Sequence, residues 1–334
     1  MNQLPAELVA QMRQGQRRAL ARTITLIENG GAPAHDLLTR LYPFTGRAAV
    51  IGFTGSPGTG KSTLVNAVAK IYRQQGLTVG IVAVDPTSPF TGGALLGDRV
   101  RMRDLTGDPG IFIRSMATRG SLGGLARTTA DVIMALDAAG FDRILVETVG
   151  VGQAEVEIAS TAHTTIVVEA PGLGDEVQAI KAGILEIADV LCVNKADRDG
   201  VQSTINALHA MLDLGTAAKG TLHHGVLMAA AAPAATSDER WRPPIVKTIA
   251  AEGKGLDELM AAVAQHQAYL AAHPDGQQRA RLRAAIELET VLRETLLNWL
   301  IASVGAAQVD RAIEQIAART IDPYTAAEQL QNLT

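Results

Sequence analysis

The sequence has one cysteine, few aromatic residues and no long apolar run, and each scarcity excludes a class of protein. The single cysteine, Cys192, cannot form an internal disulfide, which fits a reducing compartment and leaves no cysteine cluster for a metal. Aromatic residues make up only 3% of the 334 residues, too few for platforms that stack single-stranded nucleic acid. The net charge of −4 also argues against a general nucleic-acid partner.

No apolar stretch reaches the roughly 18 residues that a membrane span requires. The N-terminal segment also lacks an apolar run behind a basic start, so it does not read as a signal peptide. We therefore expect a soluble, cytoplasmic protein with no membrane association. Hydrophobic residues make up 47% of the chain, which is enough for a large core.

The central part of the chain alternates short runs rich in valine and isoleucine with segments of helical period. This alternation predicts an α/β fold, a mainly parallel sheet with helices on both faces. The strand-like runs cover residues 48–53, 78–84, 111–115, 143–147, 164–169, 190–194 and 245–249.

Both ends of the chain have helical patterns. Residues 6–29 carry apolar side chains at helical spacing and end at Gly30 and Gly31. After residue 255 the pattern is helical to the end, with breaks near 272–276 and 304–305. We expect an N-terminal helical extension (1–44), a P-loop domain (45–265) and a C-terminal helical arm (266–334). The arm either buries an apolar stripe against a second subunit or packs on the chain's own sheet.

A phosphate-binding motif follows the first strand-like run. The segment GSPGTGKS matches the pattern GxxxxGK[ST] without a mismatch, and a helical segment comes after it. Glycines allow backbone N–H groups to surround phosphate oxygens, and the helix N-terminus adds a favourable dipole. Lys61 is suited to reach the β- and γ-phosphates, and the Ser62 hydroxyl is suited to ligate Mg²⁺. The residues expected to contact the nucleotide here are Gly55, Pro57, Gly58, Thr59, Gly60, Lys61, Ser62 and Thr63.

A second motif, Asn194-Lys195-Ala196-Asp197, lies at the end of an apolar strand. A carboxylate at Asp197 can accept hydrogen bonds from both N1–H and the exocyclic amine of guanine. Adenine offers no such pair of donors, so the carboxylate would be left unsatisfied. After a P-loop and at the end of a strand, this motif favours GTP over ATP.

Acidic residues near two other strand ends are candidate Mg²⁺ ligands. Glu147 follows the run 143–146, where P-loop proteins hold the ion through a carboxylate, and Gly150 would allow backbone approach to the γ-phosphate. Asp85 follows the run 78–84, and Asp98 lies in the glycine-rich stretch that comes after it. The usual pattern is DxxG, so the glutamate is a departure.

The residue that positions the attacking water is not in its usual place. In Ras-like GTPases a glutamine directly follows the DxxG glycine. Here that position is Val151, and the next glutamine is Gln153, which we take as the candidate. We expect slow intrinsic hydrolysis that a partner accelerates.

Taken together, the motifs resemble the MeaB/ArgK family of G-proteins, which belongs to the SIMIBI class of P-loop GTPases. The resemblance runs from the N-terminal helical segment almost to the end of the chain, and relatives in this class also use glutamate at the position of Glu147. The segments that carry it are GSPGTGKST, VAVDPTSPFTGGALLGDRVRM, VETVGVGQ, VNKAD and ARTIDPYTAAEQL.

The resemblance implies a GTPase chaperone for an adenosylcobalamin-dependent acyl-CoA mutase of the methylmalonyl-CoA mutase type. Such proteins gate cofactor delivery, protect the mutase from inactivation, and form homodimers partly through the C-terminal arm. By motif, Ser62, Asp85, Asp98 and Glu147 look like the Mg²⁺ shell, and Asn194, Lys195 and Asp197 look like the guanine site. Residues 169–181 look like an additional switch loop that senses the mutase, with Asp175 and Lys181 as the candidate residues.

One departure from the usual GTPase pattern concerns the base. A Ser-Ala pair commonly contacts guanine O6 through its backbone, and here the corresponding residues are Ile249 and Ala250. A backbone N–H contact would survive the change from serine, whereas a side-chain contact would not.

Two other functions are alternatives. A metallochaperone for a nickel or cobalt enzyme would use cysteine and histidine motifs, and the lone Cys192 speaks against soft-metal transfer. A kinase linked to amino-acid transport is the second, and Asp197 argues against it because that residue favours GTP over ATP.

Overall fold

The computed structural model describes residues 5–86, 102–105, 107–118, 124–148, 154–172, 186–217 and 241–333. The chain forms two compact units, Met1–Gly276 and Gln277–Thr334. The first unit contains the sheet, and the described part of the second contains helices. The domain boundaries expected after residues 44 and 265 stay predictions.

Seven strands of the described chain form one sheet, and every neighbouring pair in it is parallel. Each strand overlaps one of the seven apolar runs, so the predicted α/β fold with a mainly parallel sheet is confirmed. The strands are β1 (Ala49–Thr54), β2 (Val79–Pro86), β3 (Ile111–Thr118), β4 (Arg143–Thr148), β5 (Thr164–Glu169), β6 (Val190–Val193) and β7 (Ile245–Lys247).

Strand β1 lies in the middle of the sheet, whose order is β3-β2-β4-β1-β5-β6-β7. It pairs with β4, where Ala49 is opposite Arg143, and with β5, where Ile51 is opposite Thr164. Since all strands run in one direction, the loops that leave their carboxyl ends meet at one edge of the sheet. We call this the carboxyl edge.

Helices cover both faces of the sheet in the first unit. Leu8 of α1, Ile24 of α2 and Leu37 of α3 are buried in one core together with Val82 and Ile144 of the sheet, and α5 and α6 contribute to the same core. Helices α4 and α8 contribute to the core on the other face. The helices are α1 (Pro5–Arg13), α2 (Arg17–Asn29), α3 (Gly31–Leu41), α4 (Lys61–Gln74), α5 (Gly124–Ala138), α6 (Ala154–Thr161), α7 (Val201–Ala217) and α8 (Leu256–Ala272).

The N-terminal segment differs in one detail from its sequence pattern. The helical spacing over residues 6–29 is divided between α1 and α2, because Gly15 has a φ of +83° and ends the first helix. The left-handed conformation is open to glycine at little cost, so a single residue is enough to interrupt the helix. The apolar spacing does not reveal the break, because the apolar residues of both helices are buried in the same core.

The second unit begins within α9 (Pro274–Val304) and continues with α10 (Ala306–Ala317) and α11 (Pro323–Gln331). Gly305 separates the first two at a φ of +86°, at the break that the sequence predicts. The Asp322 side chain caps α11 by accepting hydrogen bonds from the backbone N–H groups of Tyr324 and Thr325. No helix in the described part of the chain is long and apolar enough to span a bilayer.

Candidate nucleotide-binding site

The P-loop connects β1 to α4 at the carboxyl edge. Gly55 and Gly60 have φ angles of +127° and +93°, which glycine adopts readily. A Cβ atom at Gly55 would lie 2.1 Å from the Val168 carbonyl oxygen, and one at Gly60 would lie 2.5 Å from Asn194 Nδ2. Helix α4 then begins at Lys61, so its N-terminal N–H groups face the loop, as anion binding requires.

The Lys61 side chain lies inside the loop rather than in solvent. Its Nζ donates to the carbonyl oxygens of Gly55, at 2.7 Å, and Ser56, at 2.9 Å, and the residue is 5% exposed. The ammonium is therefore held within the curve of the backbone that the motif predicts as the phosphate site. Of the other loop residues, Thr59 is buried, whereas Pro57 and Thr63 are exposed.

Ser62 and Glu147 meet between α4 and the end of β4. The Ser62 hydroxyl donates to Glu147 Oε1 at 2.6 Å, and both residues are buried. Hydroxyl and carboxylate oxygens are the ligands that Mg²⁺ prefers, so these two side chains are suited to bind the ion. The two residues are 85 positions apart in the sequence, and the sheet order brings them together.

Asp85 lies on the neighbouring strand at the same edge. Strand β2 pairs with β4 up to Val84 opposite Thr148, and Asp85 is the next residue. Its backbone is therefore two residues beyond the level of Glu147, which is opposite Ala83. The Asp85 side chain is outside the described part of the structure, as are the whole residues Asp98, Gly150, Gln153, Asp175 and Lys181.

Asn194 connects three segments of the carboxyl edge. Its Nδ2 donates to the Thr59 carbonyl oxygen of the P-loop at 2.8 Å. Its Oδ1 accepts from the Ala250 N–H at 3.0 Å and from the Thr248 hydroxyl at 3.1 Å. The side chain is 2% exposed. One amide group thus holds together the P-loop and the segments that follow β6 and β7.

Lys195 and Asp197 lie on the solvent side of this amide group. Lys195 has a φ of +56°, and its Nζ donates to the Gly58 carbonyl oxygen at 2.6 Å. Asp197 is exposed, and the Ala196 N–H next to it donates to the Thr248 carbonyl oxygen at 3.0 Å. The pKa of Lys254 is raised, chiefly by its hydrogen bond to Glu252 and in smaller part by the charge of Asp197. The bond from Ala196 to Thr248 holds the backbone next to Asp197 beside the segment that leads into Ile249 and Ala250.

Thr248 and Cys192 are part of this network, and motif reasoning does not assign a role to either. The Cys192 sulfur lies 3.2 Å from the Thr248 hydroxyl, and burial raises the pKa of the thiol to about 12. The only signal in the sequence is position, because Thr248 directly precedes the pair Ile249 and Ala250. Within the described residues no group of three or more histidine, cysteine or acidic side chains could hold a metal ion.

A P-loop at the centre of a parallel sheet, with a guanine-type motif two strands away, defines the class of P-loop GTPases. Residues 20–305 match the family model described as "Methylmalonyl Co-A mutase-associated GTPase MeaB". The chain therefore belongs to the MeaB family, and the resemblance seen in the motifs is confirmed. It is a GTPase that binds guanine nucleotides.

Relatives extend over nearly the whole chain. A putative GTPase of Pyrococcus abyssi is 46% identical over 97% of this chain and 95% of the relative. The GTPase ArgK of Escherichia coli is 34% identical, over 97% of this chain and 95% of its own. A crystal structure titled "LAO/AO transport system kinase" aligns with a TM-score of 0.68 and 27% identity, covering 99% of this chain and 98% of that one.

Proposed function

We propose that this GTPase is a chaperone for an adenosylcobalamin-dependent acyl-CoA mutase of the methylmalonyl-CoA mutase type. It gates the loading of the cofactor and protects or reactivates the mutase. The observation that carries this proposal is the family match over residues 20–305, whose description names association with methylmalonyl-CoA mutase. The described residues hold no cluster for a transferred metal, and Cys192 is buried with a raised pKa, so the metallochaperone alternative has less support.

We assign phosphate binding and the Mg²⁺ site to the residues at the carboxyl edge. Lys61 neutralises the β- and γ-phosphates, and Ser62 and Glu147, with their oxygens 2.6 Å apart, hold Mg²⁺ together with Asp85 and Asp98. A bound Mg²⁺ supplies Lewis-acid stabilisation of the charge on the phosphoryl oxygens. We also propose Gln153 and Lys181 as catalytic residues. The Gly150 backbone is proposed to contact the γ-phosphate.

We assign base recognition to the segments after β6 and β7. Asp197 accepts two hydrogen bonds from guanine, and the backbone of Ile249 and Ala250 contacts the base. The Ala250 N–H donates to Asn194 Oδ1 and the Ile249 N–H to the Lys254 carbonyl oxygen, so a bond to the base oxygen would share one of these N–H groups. The Asn194 side-chain amide holds these segments to the P-loop through its hydrogen bonds to Thr59 and Ala250. Lys195 lies over the loop and donates a hydrogen bond to the Gly58 carbonyl oxygen. The exposed position of Asp197 supports the assignment, because a base must reach the carboxylate from solvent.

The mutase assignment is tested by the GTP hydrolysis rate of the full chain, alone and with candidate mutases. We expect a slow basal rate that rises about tenfold or more with the client, equivalent to lowering the barrier by about 1.4 kcal/mol. Methylmalonyl-, ethylmalonyl-, isobutyryl- and 2-hydroxyisobutyryl-CoA mutases are the candidates. Retention of mutase activity during turnover, with and without the GTPase, is measured in parallel.

A cobalamin-dependent mutase that does not act on acyl-CoA substrates serves as the control in this assay. It should leave the hydrolysis rate unchanged. If none of the acyl-CoA mutases raises the rate and none is protected, the chaperone proposal is overturned. Nickel- and cobalt-dependent enzymes would then be the next partners to try.

We further propose a homodimer in which the second unit supplies part of the interface. Along α9 four apolar side chains recur at intervals of three or four residues, which places them on one helix face. They are well exposed: Leu288 at 60%, Leu292 at 48%, Leu296 at 59% and Trp299 at 57%. An apolar stripe of this length on a helix with no buried residue supports contact with a second copy of the chain.

Charged residues on this stripe should separate the dimer. We expect Leu292→Glu combined with Leu296→Glu to change the mass in solution from twice 35.0 kDa to that of one chain, because each glutamate would be desolvated at the interface. Light scattering after size-exclusion chromatography measures this mass. Arg293→Ala, which removes an exposed side chain paired with Glu289 on the same helix, is the control and should leave the dimer intact. A double variant that remains dimeric would place the interface elsewhere.

A further inference from the structure

Two threonines lie opposite each other where β1 and β4 end at the carboxyl edge. Thr54 is the last residue of β1, directly before the P-loop, and Thr148 is the last residue of β4, directly after Glu147. The register places Phe53 opposite Glu147, so Thr54 and Thr148 are the next residues along these parallel strands. The Thr148 hydroxyl donates to the Thr54 hydroxyl at 3.1 Å, and the two residues are 3% and 0% exposed. This buried bond joins the strand end that carries Glu147 to the strand end that carries the P-loop.

The two hydroxyls do not face the nucleotide site themselves. Successive side chains of a strand point to opposite faces of the sheet, so Thr148 points away from the face on which Glu147 meets Ser62. Thr54 shares its face with Gly52, where an added Cβ would lie 2.8 Å from a side chain of α6. The pair thus lies on the α6 side of the sheet, and its effect on a nucleotide must pass through the backbone.

Stability alone does not account for this pair of hydroxyls. Valine has the shape of threonine, and replacing both partners of a buried hydrogen bond by apolar groups of the same shape is nearly neutral or stabilising. The hydroxyls instead provide a short separation. Two methyl carbons pack at about 3.5–4.0 Å, so a pair of valines would hold the strand ends about 0.4–0.9 Å further apart than the 3.1 Å bond does.

We propose that Thr148 and Thr54 are positioning residues for the Mg²⁺ site, acting through Glu147. Glu147 Oε1 accepts from the Ser62 hydroxyl at 2.6 Å, and Ser62 belongs to the helix that follows the P-loop. The bond between the threonines holds β4 to β1 one residue from Glu147, so it helps to set the distance between this carboxylate and the helix. A displacement of about 1 Å can lower the rate of a catalysed reaction about a hundredfold. This inference rests on the proposed assignment of Glu147 as a Mg²⁺ ligand.

Two substitutions of Thr148 separate positioning from a merely structural role. Thr148→Val keeps the shape of the side chain but removes the hydroxyl, whereas Thr148→Ser keeps the hydroxyl and removes a methyl group. We expect the valine variant to hydrolyse GTP about tenfold more slowly in a single turnover and to require about fivefold more Mg²⁺ for its half-maximal rate. The serine variant should recover the rate to within about threefold of wild type, because it retains the hydrogen bond.

Two further measurements distinguish positioning from a loss of nucleotide binding or of stability. GDP affinity without Mg²⁺ should stay within about twofold of wild type in both variants, because the threonine side chain lies on the opposite face from the nucleotide site. The free energy of unfolding should not follow the order of the rates, because serine loses buried apolar surface that valine retains. The double variant Thr54→Val with Thr148→Val should be at least as stable as wild type and still hydrolyse GTP slowly.

Thr23→Val is the matched control for the loss of a buried hydroxyl. Thr23 is 0% exposed and belongs to α2, outside the carboxyl edge, so this variant should leave the rate and the Mg²⁺ requirement unchanged. If Thr148→Val does not fold, Thr54→Val replaces it, because it removes the same hydrogen bond from the other strand.

A double-mutant cycle tests whether the effect passes through Glu147. In a Glu147→Gln background, Thr148→Val should cause no further loss of rate. The positioning role is overturned if the valine variant has the wild-type rate and Mg²⁺ requirement, if the serine variant loses as much rate as the valine variant, or if the effect is undiminished in the Glu147→Gln background. A wild-type rate in Glu147→Gln itself would instead overturn the proposed metal site.

Discussion

Asp197→Asn should change the base preference of the protein from guanine to xanthine. The carboxylate accepts from N1–H and from the exocyclic amine, and an asparagine amide can accept from only one of them while its own NH₂ group faces the amine. Xanthine has an oxygen in place of that amine, so the asparagine NH₂ can donate to it. We expect GDP affinity to fall about a hundredfold, since hydrogen bonds to a charged acceptor contribute about 1.5–3 kcal/mol each, and affinity for xanthosine diphosphate to rise.

Equilibrium titration with both diphosphates measures this change of preference. Asp199→Asn is the matched control, because Asp199 is also exposed, lies two residues further on, and has no role in the proposed site. It should leave both affinities unchanged. Unchanged GDP affinity in Asp197→Asn would contradict the assignment of Asp197 to the guanine site.

Glu147→Gln should abolish most GTP hydrolysis while leaving GDP binding largely intact. The glutamine side-chain oxygen can still accept the 2.6 Å hydrogen bond from Ser62, so the local packing is preserved and only the negative charge is removed. A neutral amide binds Mg²⁺ less well than a carboxylate. Because the ion contributes several kcal/mol of transition-state stabilisation, we expect the hydrolysis rate to fall by about two orders of magnitude or more.

Single-turnover hydrolysis at saturating GTP, together with GDP affinity measured without Mg²⁺, separates the two effects. Glu28→Gln is the control, because Glu28 is a partly buried carboxylate that pairs with Arg114 away from the carboxyl edge. It should lower stability without changing the rate. If Glu147→Gln hydrolyses GTP at the wild-type rate, Glu147 is not a metal ligand.

The sheet could be predicted from the sequence because its strands are buried on both faces. Such strands read as continuous runs of valine and isoleucine, and all seven runs became strands of the parallel sheet. The break between α1 and α2 could not be predicted from the apolar spacing, because it depends on the backbone conformation of Gly15. The order of the strands in the sheet could not be predicted from the pattern either, because it depends on contacts between residues that are far apart in the sequence.

The site could be predicted where a contact is encoded by neighbouring residues. Lys61 and Ser62 follow directly from the P-loop motif, and Asn194 follows from the motif after β6. Thr248 could not be found in this way, because its contacts with Asn194 and Cys192 span 54 and 56 positions. The roles of Asp98, Gly150, Gln153, Asp175 and Lys181 stay predictions, since these residues lie outside the described part of the structure.

The central place of β1 has a consequence for synthesis of the chain. Its partners β4 and β5 begin at Arg143 and Thr164, so the ribosome makes about a hundred further residues before β1 can pair on either side. At about 5–20 residues per second this takes about 5–20 seconds. During that time a strand rich in apolar residues has both edges unpaired, which is the condition under which strands associate with other chains. The newly made polypeptide is therefore exposed to such association before the nucleotide site exists.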